Sequence, residues 1–217
     1  MADTINDFTR ARLDEYVSEL YVNEDDVLKG IQAEAERQQI PAISVRAFEG
    51  RLLQFLVYST NAKKVIEIGA LAGYSGTWIA RALPADGKLY TLEKSSKHAA
   101  VARTSFERAG VSGKVELLEG DAQDSLKKLA SKAPFDLIFI DADKAGYPAY
   151  LAWSVENLRP GGMVAAHNAF RNGKVIAPES DDDRAMDAFN RALAAEPRLE
   201  SFILAIGDGM AVGVKKD

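Results

Sequence analysis

The sequence predicts an α/β fold, a doubly wound and mostly parallel sheet with helices on both faces. Three observations predict it. From Lys63 onward, short apolar runs alternate with stretches of helical period, the pattern of repeated strand–helix units. Most of those runs end in glycine or an acidic residue, at the place where open α/β sheets hold ligands. The last two runs are joined only by Ile206-Gly207-Asp208-Gly209, too short for a crossover helix, so the final strand runs antiparallel as a hairpin.

Each element has its own signal. Leu13, Tyr16, Val17, Leu20 and Tyr21 recur at three- and four-residue spacings, which predicts a first helix with one apolar stripe. A second runs from Asp25 to Gln39, opened by Glu24-Asp25-Asp26 and stopped before Pro41. A third covers Glu49 to Ser59. Val65 to Ile68 is the first strand, followed by a helix from Ser75 to Leu83. Strand Lys88 to Glu93 leads to helix Ser96 to Ala109, and strand Val115 to Glu119 to a helix around Ser125 to Ser131. Phe135 to Asp141 is the most hydrophobic strand and is placed centrally. Helix Ala149 to Leu158, a turn at Arg159-Pro160-Gly161-Gly162 and strand Met163 to Ala166 come next. Helix Asp183 to Ala195 and strands Ser201 to Ala205 and Met210 to Val214 close the chain. Trp78 and Trp153 fall in amphipathic helices and are read as core; His98, in a helix, is read as exposed and given no role.

With 217 residues, 47% apolar and 27% charged, the chain has the size and balance of one α/β domain, a helical cover over 1–60 and a core over 61–217. A net charge of −5 without a basic cluster argues against nucleic acid as partner. No stretch approaches the roughly 20 apolar residues of a membrane span. Met1 to Arg12 is polar and lacks a secretory stretch, so the cytoplasm is the expected location. The absence of cysteine removes disulfide scaffolds, thiolate metal sites and cysteine nucleophiles.

The strand ends carry the chemistry. The first ends in Glu67-Ile-Gly69-Ala-Leu71-Ala-Gly73-Tyr74-Ser75-Gly76, the second in Glu93, and the third in Gly120-Asp121-Ala122. The fourth ends in Asp141-Ala-Asp143-Lys144 and the fifth in His167-Asn168. A dinucleotide fingerprint needs glycine where Leu71 stands, so a pyrophosphate is disfavoured and a nicotinamide oxidoreductase with it. Glu93 lies 24 residues after Gly69, near the spacing at which an acid binds both ribose hydroxyls. Asp121, Ala122 and Gln123 are placed against the base, the small Ala122 leaving room for the ring. Nucleoside recognition without a pyrophosphate cradle points to S-adenosylmethionine, whose sulfonium suits acidic surroundings such as Glu67 and Asp141.

The runs VIEIGALAGYSGTWIARALP, FDLIFIDADK and LRPGGMVAAHN resemble the cation-dependent O-methyltransferases of the caffeoyl-CoA and catechol type. The similarity extends from Pro41 to the C-terminus, including IPAISV and IGDGMAVGVKK. It implies a Rossmann-like seven-stranded sheet of order 3-2-1-4-5-7-6, N-terminal helices covering the active site, and a homodimer. It also implies methyl transfer to a hydroxyl of a small aromatic, catechol-like acceptor. The implied cofactor site is Val45, Glu67, Gly69, Leu71, Gly73, Tyr74, Ser75, Glu93, Gly120, Asp121, Ala122 and Asp141.

In that family the first aspartate of the DADK run binds a divalent metal, matching Asp141, and the lysine, here Lys144, is the general base. The fifth strand ends there in Asp-Asn, both metal ligands; this chain has His167-Asn168. Magnesium prefers an all-oxygen shell, whereas imidazole suits softer ions. Three readings of His167 therefore stand side by side. It binds a softer divalent ion together with Asp141 and Asn168; it makes metal dispensable and acts with Lys144 as base or hydrogen-bonds the substrate; or it is a satisfied strand-end histidine. A non-catalytic nucleoside-binding relative is the remaining rival, kept by His167 and opposed by Lys144, Asp141 and Asn168. The polar segment Phe170 to Asp183 is expected to open the next helix with its acidic run and to border the acceptor pocket.

Overall fold

A computed structural model describes residues 7–217; Met1 to Asn6, half of the polar start discussed above, lies outside them. Three helices come first: α1 (Asp7–Tyr21), α2 (Asp26–Arg37) and α3 (Ala47–Ser59). Then follow β1 (Lys64–Ile68), α4 (Tyr74–Ala82), β2 (Lys88–Glu93), α5 (Ser96–Arg108), β3 (Val115–Glu119) and α6 (Ala122–Leu129). The second half holds β4 (Phe135–Ile140), α7 (Tyr147–Asn157), β5 (Leu158–His167), α8 (Asp181–Ala195), β6 (Leu199–Leu204) and β7 (Met210–Lys215). The strands form one sheet of order β3-β2-β1-β4-β5-β7-β6. Neighbours from β3 to β5 pair in parallel, and β7 pairs antiparallel with both β5 and β6, as the short Ile206–Gly209 link requires.

Alternation along the central strands builds two cores, one on each face. Val65, Leu89, Leu137, Phe139 and Ala165 point to the face covered by α2 to α5. Ile66, Ile68, Leu92, Ile138, Ile140 and Ala166 point to the face covered by α6 to α8. Trp78 is buried and Trp153 packs against the second core, in tilted contact with Phe135. No helix of the described residues is long and apolar enough to cross a membrane.

The structure corrects several expectations. The helix carrying Leu13, Tyr16, Val17, Leu20 and Tyr21 forms, but that stripe is exposed, Tyr21 to 64%. Phe55 and Tyr58 on α3 are likewise exposed, while its neighbours Leu53, Leu56 and Val57 are buried. The run Arg159 to Gly162 is not a turn ahead of the fifth strand. It lies inside β5, where Phe135 pairs with Leu158 and Leu137 already pairs with Met163, so the extra residues bulge out of the ladder. Helix α6 starts three residues earlier than expected because Asp121 caps it, its Oδ1 accepting the Gln123 N–H at 2.9 Å.

Candidate active site

The carboxyl ends of β1 to β5 open into a cavity of about 780 Å³, inside the roughly 300–1,000 Å³ range of small-molecule sites. Of the residues singled out from the sequence, Val45, Gly69, Leu71, Tyr74, Ser75, Glu93, Gly120, Asp121, Ala122, Asp141, Lys144, His167 and Asn168 line it. Glu67, Gly73 and Gln123 do not reach its lining.

The nucleoside end is organised by Glu93. Its Oε2 accepts the Leu71 N–H at 2.9 Å and its Oε1 the Ser95 N–H at 2.9 Å. Leu71 takes a left-handed φ of 48°, which turns its N–H toward that carboxylate. Gly69 sits at φ 103°, and a Cβ there would collide with the Asp141 carbonyl oxygen. The glycine is thus required where the ends of β1 and β4 converge, because both crowding and backbone conformation demand it there.

Glu67 lies behind this wall, fully buried. Its Oε1 accepts from Ser75 Oγ at 2.5 Å and its Oε2 from Thr91 Oγ1 at 2.6 Å. Burial pushes its carboxyl up to about 7, against the pull of the two hydroxyls. It holds Ser75 at the cavity edge from behind the lining. Tyr74 donates to Glu24 Oε1 at 2.6 Å, tying the start of α4 to the link between α1 and α2.

At the other end four ionisable groups form a chain of alternating charge. Asp141 follows β4 and His167 ends β5, side by side because Ile140 and Ala166 are register partners. Asp141 Oδ1 lies 3.6 Å from Lys144 Nζ, and its Oδ2 lies 3.3 Å from His167 Nδ1, an ionic contact without hydrogen-bond alignment. His167 Nε2 meets Glu49 Oε1 at 2.9 Å. Burial works to lower the His167 pKa, but the neighbouring carboxyl groups of Asp141 and Glu49 prevail and raise it to about 9. Lys144 is buried, with Nζ donating to Tyr147 Oη at 2.5 Å, and burial outweighs Asp141 to bring its pKa below the usual lysine value.

Glu49 is the functional residue that the sequence reading missed. It is 3% exposed and opens α3, its Oε2 accepting the Arg46 N–H at 2.7 Å. A capping box normally announces itself by Ser or Thr three residues ahead of the acid; here Arg46 occupies that place, so the signal is absent. Glu49 also depends on Gly207 in the β6–β7 hairpin, whose Cβ would collide with Glu49 Oε1. His98 is the second omission: it lines the cavity and its Nδ1 lies 3.4 Å from Glu93 Oε1, so the expected exposed histidine is corrected. In the Phe170 to Asp183 segment, Arg171, Asn172 and Asp182 line the cavity, and Arg171 Nε pairs with Asp183 at 3.2 Å. The acidic run opens α8 as expected, with Ser180 and Asp183 forming its capping box.

Residues 18–216 match the family model described as O-methyltransferase. The chain is 41% identical over 213 residues to a catechol O-methyltransferase of Niastella koreensis, covering 94% of this chain and 96% of that one. This chain belongs to the O-methyltransferase family. A catechol O-methyltransferase of Mycobacterium tuberculosis is 40% identical over 176 residues, 81% of this chain and 79% of that protein. Among solved structures, an O-methyltransferase from Bacillus cereus in complex with SAH superposes with a TM-score of 0.88 at 37% identity, covering 94% of this chain and 97% of that one. The sheet order described above is that of the O-methyltransferase fold expected from the sequence.

Proposed function

We propose that this O-methyltransferase moves the methyl group of S-adenosylmethionine to a hydroxyl of a small, catechol-type aromatic acceptor. The observation that carries the reading is the joining, in one cavity, of the Glu93 end and the Asp141–Lys144–His167 end. Similarity to catechol O-methyltransferases supports the acceptor class, and the SAH complex of the Bacillus cereus relative supports the cofactor.

Each oxygen of Glu93 keeps acceptor capacity beyond its one backbone bond, enough for two ribose hydroxyls. Asp121 and Ala122 border the base, and a side chain at Gly120 would stand in open space, so the backbone there leaves the cavity free. Ser75, Gly69 and Asp141 are left for the amino-acid end and the sulfonium. When bound, S-adenosylmethionine supplies an electrophilic methyl carbon on a positively charged sulfur.

Lys144 is the proton acceptor in this reading. A phenol ionises near pH 10, so little phenolate exists at neutral pH without a base. The lowered pKa of Lys144 makes its neutral amine accessible, and Asp141 at 3.6 Å receives the ammonium that forms. The acceptor oxygen gives its proton to Lys144 and bonds to the methyl carbon as the carbon–sulfur bond breaks, the electron pair staying on sulfur.

Of the residues expected to hold a divalent ion, His167 keeps Nε2 on Glu49 and leaves Nδ1 without a hydrogen-bond partner 3.3 Å from Asp141 Oδ2, and Asn168 turns its amide nitrogen to Asp208 at 3.3 Å. Among the described residues no group of three or more His, Asp or Glu is arranged to hold an ion. No step is therefore routed through a metal.

Exposed Tyr16, Leu20 and Tyr21 on α1 and Phe55 and Tyr58 on α3 support the homodimer, which light scattering tests. The catalytic reading is tested by incubating the protein with S-adenosylmethionine and a panel of vicinal diphenols, and by titrating S-adenosylhomocysteine calorimetrically. Methylated product and saturable binding are expected; failure of both removes the reading.

A further inference from the structure

We infer that His98 is a further binding residue of the cofactor site, its ring N–H donating to one ribose hydroxyl while that hydroxyl donates to Glu93. The inference rests on the S-adenosylmethionine reading above and gives a role to a side chain that the sequence left without one.

The supply of donors carries it. An ionised carboxylate only accepts, so each ribose hydroxyl placed on Glu93 uses its one hydrogen there and is left with acceptor lone pairs. A hydroxyl taken out of water keeps its full set of bonds only where the protein also offers it a donor. The backbone donors nearest Glu93 are already engaged. Leu71 N–H bonds to its Oε2 and Ser95 N–H to its Oε1, and the Gly120 N–H bonds to its carbonyl, all three at 2.9 Å.

Among side chains that line the cavity from the ends of β1, β2 and β3, the donors are Tyr74, Ser75, Lys94 and His98. The Tyr74 hydroxyl gives its hydrogen to Glu24 and the Ser75 hydroxyl gives its own to Glu67. Lys94 stands in solvent, 84% exposed, with Nζ 4.0 Å from Asp121. His98 is half-buried in the first turn of α5, held there by Ser95, whose Oγ accepts the His98 backbone N–H at 3.4 Å. Its Nδ1 lies 3.4 Å from Glu93 Oε1 without hydrogen-bond alignment, and neither ring nitrogen has a hydrogen-bond partner among the described residues. A neutral imidazole carries one N–H and an imidazolium two, so the ring is a donor in either state. A hydroxyl seated on Glu93 Oε1 therefore gives its hydrogen to the carboxylate and accepts one from the ring beside it. A histidine that only braced Glu93 would make an aligned Nδ1–Oε1 bond, which the geometry lacks.

The test is calorimetric and uses the full-length protein with S-adenosylhomocysteine and two analogues, each lacking one of the two ribose hydroxyls. Wild type and His98→Ala are titrated with all three. His98→Ala is expected to bind S-adenosylhomocysteine about 2–10-fold more weakly, the usual worth of one hydrogen bond between uncharged groups. The same substitution should leave the affinity for one analogue unchanged and weaken the other as it weakens the parent ligand. In the wild type, ring ¹⁵N signals are simple to assign because the chain has only 2 histidines. The His98 signals should move on adding the parent ligand and move less with the analogue that escapes the substitution. Equal losses for both analogues would mean that His98 only braces Glu93, and would overturn the inference. Equal affinities of His98→Ala and wild type for all three ligands would overturn it too. Both outcomes leave the methyl-transfer reading intact. Failure of the wild type to bind S-adenosylhomocysteine overturns the inference together with that reading.

Discussion

Replacing Glu67 by glutamine should make the protein more stable in mild alkali and not in mild acid. The cause is the burial of this carboxyl between Ser75 and Thr91, which raises its pKa from the ordinary 4.5 to about 7. A carboxyl with a raised folded-state pKa keeps its proton longer in the folded chain than in the unfolded one. Its stabilising contribution is therefore complete below pH 4.5 and is lost as pH rises through about 7. At ~1.4 kcal/mol per pH unit, that interval amounts to a loss of about 3 kcal/mol by pH 8.5. Glutamine carries no charge, so the variant escapes the loss. It reverses one hydrogen bond with a hydroxyl, a pH-independent cost of about 1 kcal/mol. For a chain of this size, the Tm of Glu67→Gln minus that of wild type should rise by roughly 6–12 °C between pH 5 and pH 8.5. Thermal melts at a series of pH values measure this. A difference that stays flat across the range would show that Glu67 is not a buried carboxyl titrating near neutrality.

Lys144→Met should lower kcat by about 10²–10⁴-fold, the usual worth of a general base, while calorimetric affinity for S-adenosylhomocysteine holds; kcat within a few-fold of wild type would rule it out as the base. Glu93→Ala removes the acceptor of two backbone N–H groups and the proposed ribose anchor, so S-adenosylhomocysteine affinity should fall about 10–100-fold, from ~1.5–3 kcal/mol for bonds to a charged group. Unchanged affinity would move the ribose elsewhere in the cavity. Gly69→Ala should cost more than ~2 kcal/mol in denaturant unfolding, because φ 103° and the Asp141 carbonyl both oppose a side chain. A neutral result would mean that the ends of β1 and β4 part without cost.

The fold was legible because its signals are local. Short apolar runs ending in glycine or acid, and a four-residue link before the last strand, define a parallel sheet with one antiparallel hairpin without any tertiary information. The same runs located Glu93, Asp121, Asp141 and Lys144, since strand ends are where such a sheet gathers side chains. What escaped were contacts between distant elements. Glu49 stood in the sequence only as the first residue of the third helix, and only the docking of α3 against β5 and the β6–β7 hairpin turns it into the partner of His167. Arg159-Pro160-Gly161-Gly162 carries every mark of a turn, yet pairing of Leu158 with Phe135 keeps it within a bulged strand. The α1 stripe has the right period, but periodicity reports that a face is apolar and not what covers it.

The central claim, that this cavity joins a cofactor methyl group to an acceptor hydroxyl, is tested most directly by isotope transfer. Protein, S-adenosylmethionine labelled in its methyl group and a vicinal diphenol are mixed, and the products are resolved by mass spectrometry. The account predicts the label on a single phenolic oxygen, with S-adenosylhomocysteine formed in equal amount and the yield lost in Lys144→Met. Label retained on sulfur, or delivered to carbon or nitrogen, would contradict it.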